Sequence, residues 1–152
     1  MSESKNDIYF MRLALEEAEA AFDADEVPVG AVMVQGDAVI ARTHNRRESS
    51  NDPTGHAELL ALRVAAQKLQ RWRLSESTLY VTKEPCIMCA GAMVNARLGR
   101  LVYGCRDEKG GAVDSLYKLL SDNRLNHQVE VVSGVLGDEC AEILKRFFQE
   151  RR

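Results

Sequence analysis

His56-Ala57-Glu58 and Pro85-Cys86-Ile87-Met88-Cys89 are the two pieces of sequence around which the rest of the chain is organised. Together they supply three side chains that bind zinc well and one additional carboxylate. Zinc prefers tetrahedral coordination by nitrogen and sulfur, which His56, Cys86 and Cys89 can provide. The fold must therefore bring these two distant segments together.

The spacing of the two segments indicates that each lies at the start of a helix. Cys86 and Cys89 are three residues apart and share one face of a helical turn. Pro85 suits the beginning of that helix, and the positive end of the helix dipole favours thiolates. His56 follows the turn-rich segment Asn51–Gly55, so we expect a second helix to begin there.

Three protein ligands leave the fourth position of a tetrahedral zinc ion for water, as in catalytic sites. Zinc acidifies this water, so that a zinc-bound hydroxide forms near neutral pH. Glu58 adjoins the ligands but is not needed as one. We therefore predict that Glu58 is the catalytic residue that takes a proton from water and passes it to the leaving group.

Other interpretations of the cysteine pair remain open at this stage. A C-x-x-C pair alone also occurs as a redox pair or as half of a structural zinc site. A fourth protein ligand would make the site structural, and the remaining candidates are Cys105, Cys140, His44 and His127. None of the four has a ligand-like spacing, and the two cysteines are expected to be small buried side chains.

Length and composition predict a single domain over residues 1–152. The chain is 45% apolar and 28% charged, which is typical of a globular domain with a full core. No apolar run approaches the roughly 18 residues of a membrane span, and the N-terminal residues lack the apolar core of a signal peptide. Four cysteines, two of them assigned to metal, indicate a reducing, cytoplasmic location.

The net charge of −3 gives no overall case for nucleic-acid binding, which would require local basic patches. The last eight residues, 145–152, carry four basic and one acidic side chain around Phe147 and Phe148. Such a segment can contact phosphate and stack an unpaired base. The spacing favours instead a helix with both phenylalanines facing the core. Trp72 poses the same alternatives, and we expect it to be a packed anchor.

Apolar periodicity predicts alternating helices and strands. The expected helices cover residues 7–23, 56–69, 86–97, 114–121 and 139–151. The expected strands cover 27–34, 38–44, 78–82, 100–105 and 129–132, with the first two forming a hairpin. We therefore predict an α/β fold in which a mixed sheet of about five strands has helices on both faces, a three-layer α/β/α domain. Both ligand segments then lie at the sheet edge where such folds bind ligands.

The chain resembles the cytidine deaminase superfamily, and within it the bacterial tRNA-specific adenosine deaminases, over nearly its whole length. The H-x-E and P-C-x-x-C segments carry this resemblance. It extends to the segments Asn6–Met11, Glu26–Val32, His44-Asn45, Thr78–Thr82, Glu84–Cys86 and Cys89–Ala92. Features that fit the tRNA enzymes better than the free-base deaminases are Asp107, Lys109, Gly110, Asn126-His127 and Phe147-Phe148.

This resemblance implies hydrolytic conversion of adenosine to inosine at the wobble position of a tRNA anticodon loop. It also implies one zinc ion per chain and a homodimer with the sites near the subunit interface. Asn45 is expected to hydrogen-bond the target base, with the Ala57 backbone in the same pocket. Asp107, Lys109 and Phe147 are expected to contact the substrate.

Two residues depart from the pattern of the family. Lys83 stands where the family usually has an apolar residue, and Gly55 stands where it has alanine. Both adjoin the metal motifs, so we expect them to affect the shape of the pocket and not the metal chemistry.

Three functions are compatible with the sequence. The first is an RNA-editing adenosine deaminase. The second is a free-base or nucleoside deaminase for guanine or cytosine compounds, which would share every zinc residue. The third is a non-catalytic, zinc-stabilised scaffold subunit, against which Glu58 argues because a structural site does not need it.

Overall fold

The structure, a computed structural model, describes residues 5–151. Its helices are α1 (Lys5–Asp23), α2 (Ala57–Leu69), α3 (Ile87–Asn95) and α4 (Gly137–Glu150). Its strands are β1 (Gly30–Gln35), β2 (Ala38–His44), β3 (Ser77–Lys83), β4 (Arg100–Cys105) and β5 (Glu130–Val132). Within residues 5–151, no helix has the length and apolar character needed to cross a membrane.

The strands form one mixed sheet in the order β2-β1-β3-β4-β5. β1 runs antiparallel to both of its neighbours, whereas β3, β4 and β5 are parallel to one another. β1 and β2 form the predicted hairpin, whose turn contains Gly36 at a φ of 62°, a conformation that favours glycine. The predicted five-stranded mixed sheet is confirmed.

Helices cover both faces of the sheet. On one face, the core comprises residues of α1 and α4 packed on alternate strand residues, among them Phe10, Met11, Cys140, Val32, Tyr80 and Val102. On the other face, residues of α2 and α3 pack on the intervening ones, among them Ala61, Ala65, Met93, Ala31, Leu79 and Leu101. This alternation is what a strand buried on both sides requires, and it confirms the three-layer α/β/α architecture.

The first strand begins at Gly30 and not at Val27, as the sequence predicted. Pro28 has no N–H to donate to a neighbouring strand. The N–H of Val29 donates to the carbonyl oxygen of Val27 at 2.8 Å, so the segment 27–29 is a tight turn. The prediction was wrong here because apolar composition alone does not reveal the missing donor.

The predicted helix over 114–121 is also wrong. The structure has turns there and a single 3₁₀ turn, Leu119–Ser121. The N–H of Leu116 donates to the carbonyl of Gly111, five residues back, and that of Leu119 donates to Ala112, seven residues back. These bonds replace the i→i−4 ladder that an α-helix requires.

The sheet topology gathers several separate segments at one edge. Lys83 pairs with Cys105 across the parallel strands β3 and β4, so both strands end at this edge. Gly30 pairs with His44, so β1 starts and β2 ends there too. The segments next to this edge are 27–29, 45–58, 84–89 and 106–115, which include both predicted ligand segments.

Candidate metal centre and active site

The three predicted ligands meet at this edge of the sheet. His56 Nδ1 lies 3.5 Å from Cys86 Sγ and 3.6 Å from Cys89 Sγ. The three ligand atoms lie within 4.8 Å of one another. Zinc bonds of about 2.0 Å to nitrogen and about 2.3 Å to sulfur, at a tetrahedral angle, separate these two atoms by about 3.5 Å. The donor atoms and their spacing therefore fit a zinc ion.

No fourth side chain from the described part of the chain joins this group. His44 Nδ1 lies 3.0 Å from Glu17 Oε1, and His127 Nε2 lies 2.8 Å from the carbonyl of Leu98. Cys140 is buried as expected, but Cys105 is only half-buried. A three-ligand site leaves a coordination position open, which is the pattern of catalytic zinc.

Helix starts position the ligands as the sequence predicted. His56 is the N-cap residue of α2, and Cys86 is the N-cap residue of α3. Cys89 lies in the first turn of α3. The positive N-terminal ends of both helices therefore stabilise negative charge on the sulfurs.

Of the three groups, Cys86 is the one whose pKa is shifted towards the charge state that a metal needs. Hydrogen bonds with Cys89 and His56 lower the pKa of Cys86 to about 3. The contact with Cys86 raises the pKa of Cys89 and also that of His56. The contacts therefore favour a thiolate at Cys86, and a metal that binds here would displace the protons of Cys89 and His56.

Glu58 is buried, with 4% of its surface exposed. It lines a cavity of about 370 Å³ together with His56 and Cys86; we call this space the catalytic cavity. Burial raises the pKa of Glu58 to about 7, against the opposing charges of His56 and Lys83. A carboxyl group with such a pKa can both accept and donate a proton at neutral pH.

Asn45 and Ala57 form one unit at the start of α2. Asn45 Oδ1 accepts a hydrogen bond from the Ala57 N–H at 2.9 Å, and the Thr43 hydroxyl donates to the Ala57 carbonyl at 2.7 Å. Asn45 lines the catalytic cavity. Among residues 5–151, no acceptor bonds its side-chain NH₂, which can therefore donate to a ligand.

Asp107 lines the catalytic cavity and organises its own loop. Its Oδ1 accepts from the N–H groups of Lys109 and Gly110, both at 3.1 Å, and its Oδ2 pairs with Lys83 Nζ at 3.2 Å. Lys83 also lines the cavity, so its ion pair with Asp107 forms part of the wall. The Lys109 side chain is exposed and lies outside the cavity.

Gly55, where the resemblance leads us to expect alanine, lies in the loop that precedes His56. A Cβ added there would lie 3.0 Å from the carbonyl oxygen of Arg46 and 3.1 Å from that of Asp52. An alanine at this position requires the loop to move by a few tenths of an ångström.

Glu84 was not among the functional residues predicted from the sequence. It stabilises the loop that contains Asp107 and residues 113–115, next to the catalytic cavity. Its Oε1 accepts from the N–H of Asp107 at 3.0 Å and the hydroxyl of Ser115 at 2.5 Å. Its Oε2 accepts from the N–H groups of Val113, Asp114 and Ser115 at 3.1, 2.8 and 2.9 Å. Burial alone would raise the pKa of Glu84, but these hydrogen bonds lower it to about 2.

Glu26 stabilises the loop that contains Glu48 and Ser49 in the same way. It is 1% exposed and accepts from the N–H groups of Glu48 at 3.1 Å and Ser49 at 2.6 Å. Burial alone would raise the pKa of Glu26, but these hydrogen bonds lower it below its usual value. Glu26 and Glu84 each adjoin an apolar strand segment. An acidic residue in that position was the feature of the sequence that could have predicted a buried, hydrogen-bonded carboxylate.

A second cavity of about 680 Å³ adjoins the catalytic cavity, with which it shares Val27, Asn45 and Arg47. Phe147 lines the second cavity and is 5% exposed, with its ring edge-to-face against Phe22 at 5.6 Å. Phe148 is 49% exposed and lines the catalytic cavity. The expectation that both phenylalanines face the core is therefore wrong for Phe148.

Trp72 is also not the packed anchor expected from the sequence. It is 58% exposed, and the guanidinium of Arg73 lies 5.1 Å from the centre of its ring. It lies beside α2 and α3 on the surface, and it does not line the catalytic cavity.

We expect Glu84→Gln to lower the free energy of unfolding by about 2–4 kcal/mol at pH 7, because buried donors lose a charged acceptor. The pKa of Glu84 is about 2 in the folded protein and near 4.5 when unperturbed. Its stabilisation is therefore fully present above about pH 4.5 and is lost as the pH falls towards 2. Urea unfolding between pH 2.5 and 7 measures this difference.

Glu76→Gln is the matched control for this prediction, because the Glu76 side chain is 70% exposed and, within residues 5–151, its ion-pair partner is Arg71 on the surface. It should change the free energy of unfolding by less than about 0.5 kcal/mol. A difference between Glu84→Gln and the parent that does not shrink at low pH would contradict the assigned role of the carboxylate.

Comparison with known proteins agrees with this site. The chain belongs to the MafB19-like deaminase family, whose model matches residues 5–152. Its relatives include the tRNA-specific adenosine deaminase of Bacillus subtilis strain 168, which is 49% identical over 146 residues, or 96% of this chain and 91% of that one. The resemblance to this group that the sequence indicated is confirmed.

Two solved structures extend the comparison. One is from a study of A-to-I editing by tRNA A34 deaminases at the wobble position of transfer RNA. It is 49% identical, with a TM-score of 0.86, and the match covers 89% of this chain and 98% of that one. The other is a guanine deaminase from Nitrosomonas europaea. It is 26% identical, with a TM-score of 0.81, and the match covers 92% and 83% of the two chains.

Proposed function

We propose that this protein hydrolyses an adenosine at the wobble position of a tRNA anticodon loop to inosine. The observation that carries the proposal is the buried carboxylate of Glu58 beside a zinc-compatible set of one nitrogen and two sulfur atoms. The 49% identity to a tRNA-specific adenosine deaminase supports the choice of substrate.

His56, Cys86 and Cys89 would hold the zinc ion. When bound, zinc supplies an acidified water near neutral pH. Glu58 would accept one proton from the attacking water as the oxygen bonds to C6 of adenine, and would pass that proton to N1. Glu58 would then take the second proton from the hydroxyl group now on C6 and pass it to the exocyclic amino group, so that the C6–N bond breaks, ammonia leaves and the oxygen remains on C6 as a carbonyl. Adenosine and water thus give inosine and ammonia.

The remaining walls of the cavity orient the base. The free side-chain NH₂ of Asn45 donates to a ring acceptor, and the Ala57 backbone holds Asn45 in place through its N–H. A cavity of about 370 Å³ encloses one base, which must be unpaired and turned out of its stack to enter. An anticodon loop offers such a base without the cost of opening a duplex.

Contacts between the protein and parts of the RNA outside the target base allow it to discriminate tRNA from a free nucleoside. Asp107 shapes the loop that borders the cavity, and the exposed Lys109 on that loop is available to a phosphate. Phe147 contributes to the wall of the second cavity, and Phe148 adds an exposed ring at the mouth of the catalytic one. We assign these residues to the RNA surface.

The functional unit in this proposal is a homodimer of single-domain chains in the cytoplasm. Exposed apolar side chains flank the metal ligands: Ile87 is 60% exposed, Leu116 54% and Tyr117 53%. A second copy of the chain covering them would lie close to each site. Sedimentation analysis should give about twice the 17.0 kDa of one chain, and a monomer at working concentration would contradict this part of the proposal.

One assay tests the activity: ammonia release from a tRNA with adenosine at the wobble position, from free adenosine, from guanine and from cytidine. We expect rapid release from the tRNA only. The second candidate is guanine deamination, favoured by the similarity to the Nitrosomonas europaea guanine deaminase. Rapid turnover of guanine without turnover of tRNA would replace the first proposal with the second.

A further inference from the structure

The catalytic cavity and the second cavity have three lining residues in common, Val27, Asn45 and Arg47, which we call the shared wall. The two volumes, about 370 and about 680 Å³, both lie in the range of small-molecule sites. Each is large enough for a nucleobase, so the pair can accept two neighbouring bases of one strand.

A strand that places one base in each cavity must carry the connecting phosphodiester across the shared wall. Val27 is apolar and Asn45 is neutral and buried, so Arg47 is the charged residue of the wall. The Arg47 side chain is exposed. No carboxylate within the described residues lies at ion-pair distance from its guanidinium, which leaves it available to an anion.

The backbone that carries Arg47 is held in place without any ligand. The next two N–H groups, those of Glu48 and Ser49, donate to the buried carboxylate of Glu26. The carbonyl of Arg47 accepts from the N–H of Asp52 at 3.0 Å. A preformed loop does not have to be ordered during binding, so more of the contact energy appears as affinity.

We propose that Arg47 binds the phosphodiester between the target adenosine and its neighbouring nucleotide, whose base occupies the second cavity. A guanidinium can donate two parallel hydrogen bonds to phosphate oxygens, which fixes orientation as well as charge. The inference rests on the proposed function and adds to it a specific contact that a free nucleoside or free base lacks.

The first test compares Arg47→Ala with Arg46→Ala. Arg46 is the adjacent arginine, is also exposed, and lines neither cavity. We expect Arg47→Ala to lower kcat/KM for tRNA about 5- to 30-fold at low salt, as for loss of a charged hydrogen-bond pair. The slope of log(kcat/KM) against log salt should become shallower by about 0.7, the value for one phosphate contact on a single strand.

Arg46→Ala should change kcat/KM and the salt slope much less, and both variants should retain the zinc content and Tm of the parent. Arg47→Lys, which keeps the charge, should retain most of the salt slope. Equal effects of Arg47→Ala and Arg46→Ala on tRNA turnover would overturn the inference.

The second test removes the charge from the RNA. Anticodon stem-loops are made with an uncharged methylphosphonate linkage either 5′ or 3′ of the target adenosine. We expect one of the two substitutions to slow the parent protein and to have little further effect on Arg47→Ala, because both changes remove the same contact. Additive losses, or a parent protein insensitive to both linkages, would overturn the inference.

These outcomes separate the inference from the function on which it rests. A parent protein that turns over tRNA with no coupling between Arg47 and either linkage refutes the contact alone. A zinc-loaded parent protein that leaves tRNA unchanged refutes the proposed function, and the phosphodiester contact with it.

Discussion

Glu58→Gln should bind zinc like the parent protein and lose at least about 10²–10⁴-fold in kcat, the usual range for a general acid–base residue. Glutamine preserves the size of the side chain but cannot carry a proton between water and the base. The loss can exceed this range because the same carboxyl group serves several proton transfers in one turnover. Single-turnover ammonia release on tRNA, with metal analysis of the same preparation, measures the effect.

Glu108→Gln is the control for this variant, because Glu108 is an exposed carboxylate at the same edge and does not line the catalytic cavity. It should deaminate tRNA at close to the parent rate. A Glu58→Gln protein that holds one zinc and turns over at close to the parent rate would remove Glu58 from the mechanism.

Replacing either cysteine of the metal centre should have the second large effect. We expect the parent to contain one zinc per chain, and Cys86→Ala and Cys89→Ala to contain much less. Removing one sulfur leaves two protein ligands from the group of three, too few for a stable site. Both variants should lose deaminase activity, and their Tm should no longer rise on addition of zinc.

Cys105→Ala provides the comparison, because Cys105 is a free thiol outside the metal group. It should retain zinc and activity. Full zinc content in Cys86→Ala or Cys89→Ala would show that the metal is held elsewhere, and a catalytic role for the C-x-x-C segment would then fail.

Most of the fold followed from local patterns in the sequence. The apolar runs of β3 and β4 and the periodicity of α1 were sufficient because local preference and burial agree in these elements. The predictions failed where the hydrogen bonding of particular backbone N–H groups decided the outcome. Pro28 shortened β1, and the hydrogen bonds around Glu84 turned the segment after Gly111 into successive turns.

The metal group was predictable because its chemistry requires particular residue types at particular spacings. His56, Cys86 and Cys89 meet as expected. The supporting residues were not predictable in the same way, since an acidic residue such as Glu26 or Glu84 is most often an exposed side chain. Their roles depend on which backbone N–H groups the folded chain turns towards them, and this is a property of tertiary structure.

The different environments of the two phenylalanines also depend on tertiary structure. Phe147 and Phe148 are adjacent on α4, where successive residues point about 100° apart. One ring packs against Phe22 while the other borders the catalytic cavity. The sequence predicts the periodicity of the helix. Which helix face borders the catalytic cavity depends on the loops at the end of the sheet.

Glu26 and Glu84 hold their loops from the protein side, and this has an evolutionary consequence. The backbone of each loop is fixed by a buried carboxylate. The exposed side chains of the loops therefore contribute little to the stability of the fold. Positions such as Arg47, Glu108 and Lys109 can therefore be exchanged during divergence while the ligand geometry is preserved. A lineage can change which nucleic acid or small molecule it accepts through these positions and keep one hydrolytic centre.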